Sequence, residues 1–522
     1  MLVASALFLN FGSPKTELRI VSGSENRALQ PIVEAWGRDN GVAVDMSYLG
    51  SVDIARSLQE GAASEYDAIW PANSIWIELG DTQKIVKHDA SILRSPVVLG
   101  LRLSIAEDLG WVGRDDVTIE EIQAAARADR FRLSMTSATQ SNSGASAYIG
   151  FLYALSGDPD LLTSDHLADR EVQAQVRDLL AQIDRSSGSS GWLKDSLVEN
   201  PERFDAMFNY EALVIEANQV LEARGLEPLY VVYPANGLSV ADSPLGLIDK
   251  QDPDKSDAFL ALQAHLLSDE VQDQLLDLGR RAGLLGLSAD RADAAVWRAD
   301  WGIDLDRTIA PVPAPESAVI REALTLYQTE LRKPSLTVWV LDVSGSMEGE
   351  PLQKLKDAMG LLLDPDTASV NLLQPSPRDV TFILPFSSGT AEPIVIAGSD
   401  PEKLRRAASR VDLLQAGGGT DLYGAIMVAM DLLEPYNDDS TLFDYLPAIV
   451  AMTDGASDTA RRPEMLRALE SNGFRLDIPI HSIAFGNADT EQLDELSTTT
   501  IGRRFTAGDD LSKALRSAKG YN

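Results

Sequence analysis

The sequence predicts an α/β protein with two modules, each built around a parallel sheet. Apolar segments of strand character alternate with segments of helical spacing in both halves of the chain, which is the pattern of βαβ units. A proline-rich stretch at residues 311–315 separates the two halves. Beyond it, residues 336–343 form a largely apolar run that is typical of a central parallel strand, buried on both faces. We therefore predict a two-lobed α/β module followed by a doubly wound α/β domain.

The length and composition limit the classes of function. The chain has 522 residues, which suggests about three folding units. Its formal net charge is −34, which disfavours binding to nucleic acid and anionic membranes and attracts divalent cations. It has no cysteine, so disulfides, thiolate zinc sites and cysteine nucleophiles are excluded. Its four histidines are scattered, and no two have metal-ligand spacing.

Residues 1–16 are predicted to be the remainder of a signal or membrane-anchor segment. Residues 2–11 are apolar, and a Gly-Ser-Pro sequence follows them. The run is too short to span a bilayer, which needs about 20 residues, and it lacks the basic start of a complete signal peptide. A buried N-terminal strand is the alternative. We expect membrane attachment, if present, to depend on this segment.

The first module, residues 17–305, is predicted from strand and helix patterns that follow one another along the chain. Strand patterns occupy 18–22, 42–50, 66–72, 96–104 and 131–139, and further strand-like segments lie at 211–219 and within 229–248. Helical patterns occupy 27–40, 52–61, 118–128, 144–155, 257–268 and 270–279. We place a second lobe at about 100–235 and expect both flanking segments to build the first lobe.

Residues 306–333 are predicted to connect the modules. Alternating prolines make residues 311–315 stiff and extended, because proline fixes φ. Apolar residues then recur at helical spacing in residues 316–333, at Val319, Ile320, Ala323, Leu324, Tyr327 and Leu331. This pattern predicts an amphipathic helix that packs against one of the two modules.

The last domain, residues 334–522, is predicted to be doubly wound. Its strand patterns lie at 336–343, 379–386, 393–398, 446–453 and 478–486. Its helical patterns lie at 351–363, 401–414, 421–433, 463–471 and 510–518. Because helices alternate with strands, we expect helices on both faces of a mostly parallel sheet.

Five oxygen-bearing side chains follow strand patterns or a glycine-rich turn in this domain. They are Asp342, Ser344, Ser346, Thr420 and Asp454. Loops at the carboxyl ends of parallel strands meet in one crevice, so these side chains can face a common point. Two carboxylates with neutral hydroxyls suit a hard cation, Mg²⁺ first, with Mn²⁺ or Ca²⁺ as alternatives. A polar strand-to-helix turn with serine as N-cap is the competing interpretation.

This pattern resembles the metal-ion-dependent adhesion site of the von Willebrand factor A family. The family pattern D-x-S-x-S matches Asp342 to Ser346, and the later T-D-G matches Thr453 to Gly455, with Thr420 between them. The resemblance covers about residues 334 to 522. It implies that Ser344 and Ser346 bind the ion directly, that the two aspartates act largely through water, and that Thr420 moves in or out of the shell.

The first half resembles bacterial extracellular solute-binding proteins of the type 2 periplasmic fold. The resemblance rests on V-S-G-S-E at residues 21–25, Y-L-G-S at 48–51, Y-D-A-I at 66–69 and the segment from Y-P-A-N-G to D-S-P-L-G at 233–246. It covers about residues 17 to 305. It implies two α/β lobes with a ligand cleft at their interface, in the subgroup related to molybdate binders.

Serine-rich turns before helices are the candidate ligand contacts of this cleft. Backbone amides and hydroxyls at a helix N-terminus can hold a small solute or an oxyanion. The predicted ligand-binding residues are Ser22, Ser24, Ser51, Ser143, Tyr210 and Glu211. Glu25 argues against an oxyanion, because its carboxylate would compete for the same amides. The serines are equally well explained as helix N-caps.

These features predict a non-enzymatic extracytoplasmic protein, anchored through its N-terminus. In this interpretation the cation docks an acidic residue of a protein partner, in tandem with a solute-binding-like module. The alternative is the substrate-binding receptor of an ABC-type transporter with an accessory domain. A chelatase-like enzyme subunit is a third option, but the sequence has no Walker A motif and no nucleophile elbow.

Overall fold

The computed structural model describes residues 16–282, 291–305, 307, 309–471, 473–508 and 510–521. The apolar run predicted at residues 2–11 lies outside the described residues. The chain divides into two compact units. The first comprises Met1–Ser95 and Ala241–Trp297, and the second comprises Pro96–Val240 and Arg298–Asn522. The module and lobe boundaries proposed above remain predictions.

The strands of the described residues are numbered in chain order. They are β1 (Thr16–Ser22), β2 (Val42–Tyr48), β3 (Ala68–Trp70), β4 (Val86–Ser91), β5 (Ser95–Arg102), β6 (Leu133–Thr136), β7 (Ile183–Ser187), β8 (Ala206–Tyr210), β9 (Leu229–Val232), β10 (Val240–Ala241), β11 (Pro244–Ile248), β12 (Ser335–Asp342), β13 (Val380–Phe386), β14 (Ile394–Ala397), β15 (Leu446–Thr453), β16 (Ile480–Ala484) and β17 (Arg504–Thr506).

The α-helices are numbered in the same way. They are α1 (Gln30–Asn40), α2 (Ser51–Gln59), α3 (Ile75–Gly80), α4 (Leu103–Asp108), α5 (Ile119–Arg127), α6 (Asn142–Leu155), α7 (Ser164–Ala168), α8 (Arg170–Ala181), α9 (Ser190–Glu199), α10 (Glu211–Ala223), α11 (Pro253–Leu266), α12 (Asp269–Asp277), α13 (Ser317–Leu326), α14 (Glu350–Leu363), α15 (Pro365–Val370), α16 (Pro401–Asp412), α17 (Leu422–Asp438), α18 (Arg462–Glu470), α19 (Gly473–Asp477), α20 (Thr490–Thr499) and α21 (Leu511–Lys519). None of the described helices is long and apolar enough to cross a membrane.

The first unit contains a five-stranded sheet in the order β2–β1–β3–β11–β4. Strand β1 runs parallel to β2 and β3, and β11 runs antiparallel to β3 and β4. Ser22 at the end of β1 lies opposite both Tyr48 and Trp70. The carboxyl ends of three parallel strands therefore meet at one edge of this sheet.

The second unit contains two sheets. In the sheet of residues 96–240, the part of this unit that contains the predicted second lobe, β6 runs parallel to β7 and β8, while β5 pairs antiparallel with β8 and β9. In the C-terminal domain, residues 334–521, the order is β14–β13–β12–β15–β16–β17, and every pair except β14 with β13 is parallel. The predicted α/β class and the doubly wound arrangement are confirmed.

The sheet of the C-terminal domain is buried on both faces, as its apolar strands require. On one face, Trp339 and Leu341 pack with helices α14, α16 and α21. On the other face, Val338 and Val340 pack with helix α17. The alternating side chains of one central strand thus bind both helical layers to the sheet.

Within the second unit, the segment that joins the modules packs against the second lobe. The Tyr148 hydroxyl donates to the Ala323 carbonyl oxygen at 2.9 Å, and Lys333 Nζ donates to the Ile183 carbonyl oxygen at 2.9 Å. The predicted helix of residues 316–333 is α13, extended by a π-helical turn over Tyr327–Leu331. The amphipathic face therefore has a partner inside its own unit.

The prediction of a strand-like segment at residues 211–219 is wrong. These residues lie in α10, which follows directly after β8. Most of the helix is buried, including Leu213, Val214 and Ile215. In a helix that is buried on most sides, apolar residues occur on every face, so the sequence shows no helical periodicity. Such a short apolar run cannot be told from a buried strand by its pattern, and here tertiary packing favours the helix.

Candidate functional site

The predicted metal ligands begin at the ends of two adjacent central strands. Asp342 is the last residue of β12, and Thr453, directly before Asp454, is the last residue of β15. The parallel register pairs Leu341 with Met452, so the two strands end at the same level. Both aspartates are buried, with 0% and 6% of their surface exposed. The fold thus brings the two predicted carboxylates to one edge of the sheet.

Hydrogen bonds join four of the five predicted residues. The Ser344 backbone N–H donates to Asp342 Oδ1 at 2.8 Å. The Ser346 hydroxyl donates to Asp454 Oδ1 at 2.8 Å, and its oxygen lies 3.1 Å from that of Ser344. From β15, the Thr453 hydroxyl donates to Asp342 Oδ2 at 2.5 Å. The side chains of both loops are therefore oriented toward one another by direct contacts.

Thr420, the fifth predicted residue, lies on a glycine-rich loop that contacts the loop of the two serines. The Gly417 N–H donates to the Val343 carbonyl oxygen at 2.8 Å, and the Gly345 N–H donates to the Gly418 carbonyl oxygen at 3.0 Å. Gly418 has φ +85°, a backbone conformation that glycine adopts without steric cost. The loop of Thr420 is thereby attached to the loop of the two serines.

The electrostatics of this group favour a cation. Burial raises the pKa of Asp342, hydrogen bonds from Thr453 and Ser344 oppose the rise, and the negative charge of Asp454 adds to it. Among the described residues, no lysine or arginine forms an ion pair with either aspartate. Two buried carboxylates without a counter-ion are costly, and a bound cation would remove that cost.

The donor set fits a hard divalent cation. Ser344, Ser346 and Thr420 would add three neutral oxygens to the two carboxylates, as Mg²⁺ prefers. The part of the chain that the structure describes contains no cluster of three or more His, Cys, Asp or Glu residues. Hydroxyl groups are therefore three of the five oxygen-bearing groups of the candidate site. The site differs in this from zinc sites, whose ligands are mainly histidine nitrogens and cysteine thiolates.

Three residues that sequence reasoning did not assign also belong to this site. Thr453 orients Asp342, Ser457 contacts the loop of Thr420, and Gln492 contacts Ser457. Thr453 could have been predicted from the sequence, because it is a polar residue at the end of an apolar strand and directly precedes an aspartate. Ser457 and Gln492 carry no such signal, because their contacts depend on how separate loops meet.

In the first unit, the predicted solute residues Ser22, Ser24 and Ser51 follow strand ends. Ser22 is buried, donates to the Trp70 carbonyl oxygen at 3.2 Å and accepts from Asn26 Nδ2 at 3.1 Å. Ser24 opens a 3-10 helix, and Ser51 is the first residue of α2. Ser22 is thus already engaged in contacts within the protein.

Glu25 lies within the same turn as these serines. Burial raises its pKa to about 7, and the nearby Arg280 charge acts in the opposite direction. Within the described residues, Glu25 Oε1 and Asn26 Oδ1 are buried and have no hydrogen-bond donor. These acceptors disfavour an oxyanion at this turn, because an oxyanion needs donors.

The remaining predicted solute residues, Ser143, Tyr210 and Glu211, lie in the second unit and are all buried. The Ser143 hydroxyl oxygen lies 2.7 Å from that of Ser190, and the Tyr210 hydroxyl accepts from Asn142 Nδ2 at 3.0 Å. Glu211 accepts a hydrogen bond from the Tyr233 hydroxyl. Their contact with a ligand remains a prediction.

Two family models match the chain. Residues 18–281, just over half of the chain, match the bacterial extracellular solute-binding proteins. Residues 337–456 match the von Willebrand factor type A domain. The second match ends just beyond Asp454, so it includes all five predicted metal ligands.

Individual relatives and solved structures are similar to parts of the chain. The inter-alpha-trypsin inhibitor heavy chain H3 of Bos taurus is 28% identical over 156 residues, which is 30% of this chain and 17% of that protein. A ferric binding protein from Campylobacter jejuni has a TM-score of 0.42 at 14% identity, covering 59% of this chain and 98% of its own. A von Willebrand factor type A protein from Catenulispora acidiphila has a TM-score of 0.30 at 15% identity, covering 37% and 43%. The chain thus spans about a sixth of the heavy chain's length.

Proposed function

Because this chain belongs to the bacterial extracellular solute-binding protein family and carries a von Willebrand factor type A (vWA) domain, we propose that it is a non-enzymatic extracytoplasmic binding protein. In this proposal the vWA domain docks a carboxylate of a protein partner through a divalent cation. The solute-binding module captures a small solute.

The observation that carries this proposal is the pair of buried carboxylates, Asp342 and Asp454, surrounded by hydroxyls. Neither carboxylate has an ion-pair partner among the described residues, and serine and threonine hydroxyls hold both in place. A catalytic interpretation would need a general base or a nucleophile with an activating partner. Among the described residues that form hydrogen bonds with these carboxylates and hydroxyls, there is neither histidine nor lysine.

The residues have separate tasks in this proposal. Asp342 and Asp454 supply negative charge, while Ser344, Ser346 and Thr420 supply neutral oxygens. Three neutral ligands leave the ion electrophilic, and such an ion accepts a carboxylate oxygen from another molecule. Ser346 is exposed, which supports access of a partner to this side of the site. Mg²⁺ is the proposed ion, with Mn²⁺ or Ca²⁺ as substitutes.

The test is calorimetric titration of the full chain with Mg²⁺, Mn²⁺ and Ca²⁺, compared with the variant Asp342→Ala. We expect saturable binding by the parent and at least a hundredfold loss in the variant. Asp364→Ala is the matched control, since it removes an aspartate of the same domain that caps α15. Equal cation affinity in the parent and Asp342→Ala would remove the metal site and the docking mechanism with it.

A second measurement addresses the partner. Proteins captured by the immobilised full chain are compared with and without EDTA, and again with Asp342→Ala. The proposal predicts at least one protein whose capture needs both the cation and Asp342. Capture that persists in EDTA would contradict docking through the ion.

The solute-binding half is tested separately, by thermal unfolding of the full chain with a panel of sugars, amines, metal ions and oxyanions. Family membership supports a small solute as ligand. If a ligand raises the unfolding temperature equally in the parent and in Asp342→Ala, its binding is assigned to the solute-binding module. If no compound of the panel changes the unfolding temperature, the result would instead favour a module that no longer binds a solute.

A further inference from the structure

The loop that carries Thr420 is held by contacts with residues that lie outside the five predicted metal ligands. The Thr420 hydroxyl makes no hydrogen bond within the described residues, so its position depends on its backbone. The Thr420 carbonyl oxygen accepts from the Asp458 N–H at 2.9 Å and from the Ser457 hydroxyl at 3.0 Å. Ser457 and Asp458 thereby hold the backbone of Thr420 in place.

Ser457 holds the loop on both sides of Asp421. Its hydroxyl donates to the Thr420 carbonyl oxygen, and it accepts from the Leu422 N–H at 3.0 Å. The same hydroxyl oxygen also lies 3.1 Å from the Asp458 carbonyl oxygen. Ser457 is 8% exposed, so water competes little for these bonds. One side chain therefore connects the loop of Thr420 to the loop of Asp454.

Gln492 holds Ser457 in turn. Its Oε1 accepts from the Ser457 N–H at 2.9 Å, and its Nε2 donates to the Ser457 carbonyl oxygen at 3.2 Å. Gln492 belongs to the first turn of α20, where the Asp489 carboxylate accepts from its backbone N–H at 3.2 Å. This paired contact uses both polar atoms of the amide and ties the loop to a helix.

From these contacts we infer that Ser457 and Gln492 are positioning residues for Thr420 in the metal site. They touch neither the ion nor the partner; they set where the Thr420 hydroxyl stands relative to Asp454. The inference rests on the proposed function, because it concerns the affinity of the same site. It adds two residues and predicts that their contribution passes through Thr420.

The test is a double-mutant cycle on the full chain, with Mg²⁺ affinity measured by calorimetry. We expect Ser457→Ala to weaken Mg²⁺ binding about tenfold, because it removes the hydroxyl that bonds both the Thr420 carbonyl oxygen and the Leu422 N–H. The double variant Thr420→Ala, Ser457→Ala should bind as Thr420→Ala alone does, because Ser457 acts through Thr420. Ser457→Thr keeps the hydroxyl and should recover most of the affinity.

A readout without metal separates positioning from general stability. In EDTA, amide exchange of residues 417–422 should be faster in Ser457→Ala than in the parent. Ser482→Ala is the matched control, because Ser482 is a buried serine of the same domain whose hydroxyl contacts Ser497. It should change neither this exchange nor Mg²⁺ affinity.

If Ser457→Ala does not fold, Gln492→Ala tests the same inference. Gln492 is half-buried, and its replacement leaves the Ser457 hydroxyl in the protein. We expect about threefold weaker Mg²⁺ binding. Parent-like affinity in both variants, or effects that multiply in the double variant, would overturn the inference while the proposed function stands. Failure of the parent itself to bind a cation would overturn both.

Discussion

At the scale of single residues, the proposed metal site depends on hydroxyl groups that orient carboxylates. Thr453 shows this most clearly, because its hydroxyl donates to Asp342 Oδ2 at 2.5 Å from the end of the neighbouring strand. Thr453 is 1% exposed, so no water replaces this donor. Without this donor, Asp342 would keep its charge and its bond from the Ser344 N–H, but its Oδ2 would no longer be held in place.

Thr453→Val should therefore weaken Mg²⁺ binding about tenfold while it preserves the shape of the side chain. Calorimetry of the full chain measures the affinity, and thermal unfolding in EDTA checks that the domain still folds. Thr453→Ser is the paired control and should retain most of the affinity. A valine variant with parent-like affinity would contradict an orienting role.

His481 is a buried residue whose protonation should control stability. Burial, together with the charges of Arg185 and Arg503, lowers its pKa from 6.5 to about 3. Its Nδ1 accepts from the Arg503 N–H at 3.0 Å, while Nε2 is buried without a partner among the described residues. Below pH 6.5 the unfolded chain binds a proton that the folded protein rejects, so this stability is lost as pH falls toward 3.

His481→Asn should reduce this pH dependence, because asparagine keeps an acceptor for the Arg503 N–H but does not titrate. Between pH 6.5 and 3, each pH unit costs the parent about 1.4 kcal/mol through this group. Urea unfolding at pH 7 and pH 4.5 should thus show a smaller loss in the variant, by about 3 kcal/mol. His88→Asn, at an exposed histidine, is the control and should behave as the parent.

At the scale of elements, the glycine-rich turn before Thr420 brings a loop close to two others. Gly418 has φ +85°, and a Cβ there would lie 3.1 Å from the Ser388 hydroxyl and 3.2 Å from that of Ser387. Any other residue would therefore meet both backbone strain and crowding. The Gly419 N–H also donates to the Ser388 hydroxyl at 2.7 Å.

Gly418→Ala should destabilise this turn by about 1 kcal/mol and weaken Mg²⁺ binding several-fold, because Thr420 follows two residues later. The measurements are Mg²⁺ calorimetry and thermal unfolding in EDTA. Gly360→Ala is the control within α14, where a Cβ meets nothing within 4 Å. Alanine there should stabilise the helix slightly and leave cation affinity unchanged.

At the scale of the whole molecule, the second lobe and the vWA domain belong to one compact unit. The ring of Trp192 in the second lobe packs edge-on against Tyr521, with ring centroids 5.0 Å apart, and Tyr521 also packs on Phe505. Gln140 Nε2 donates to the Arg516 carbonyl oxygen at 2.5 Å. The stability of the second lobe should therefore depend on α21 and the residues after it.

Tyr521→Ala should lower the stability of both parts of this unit together, by about 3 kcal/mol, through the loss of buried ring contacts. Hydrogen exchange should accelerate in α9 of the second lobe as well as in α21. Tyr436→Ala, which removes an aromatic pair with Tyr445 inside the vWA domain, should not accelerate exchange in α9. Exchange confined to α21 in Tyr521→Ala would contradict this coupling.

The sequence alone determined the α/β class and the two families. It also named Asp342, Ser344, Ser346, Thr420 and Asp454 as candidate metal ligands, and that assignment stays a prediction. Strand periodicity, apolar runs and the spacing of oxygen side chains are local signals, so they can be recognised without knowing the packing. Only the tertiary structure placed residues 211–219 in a helix, and only it joined Ser457 to Thr420 and Gln492 to Ser457. It also showed that Glu25 Oε1 and Asn26 Oδ1 are buried without a donor among the described residues, which disfavours an oxyanion at that turn. These features depend on which distant segments meet, and that information is not carried by any one stretch of chain.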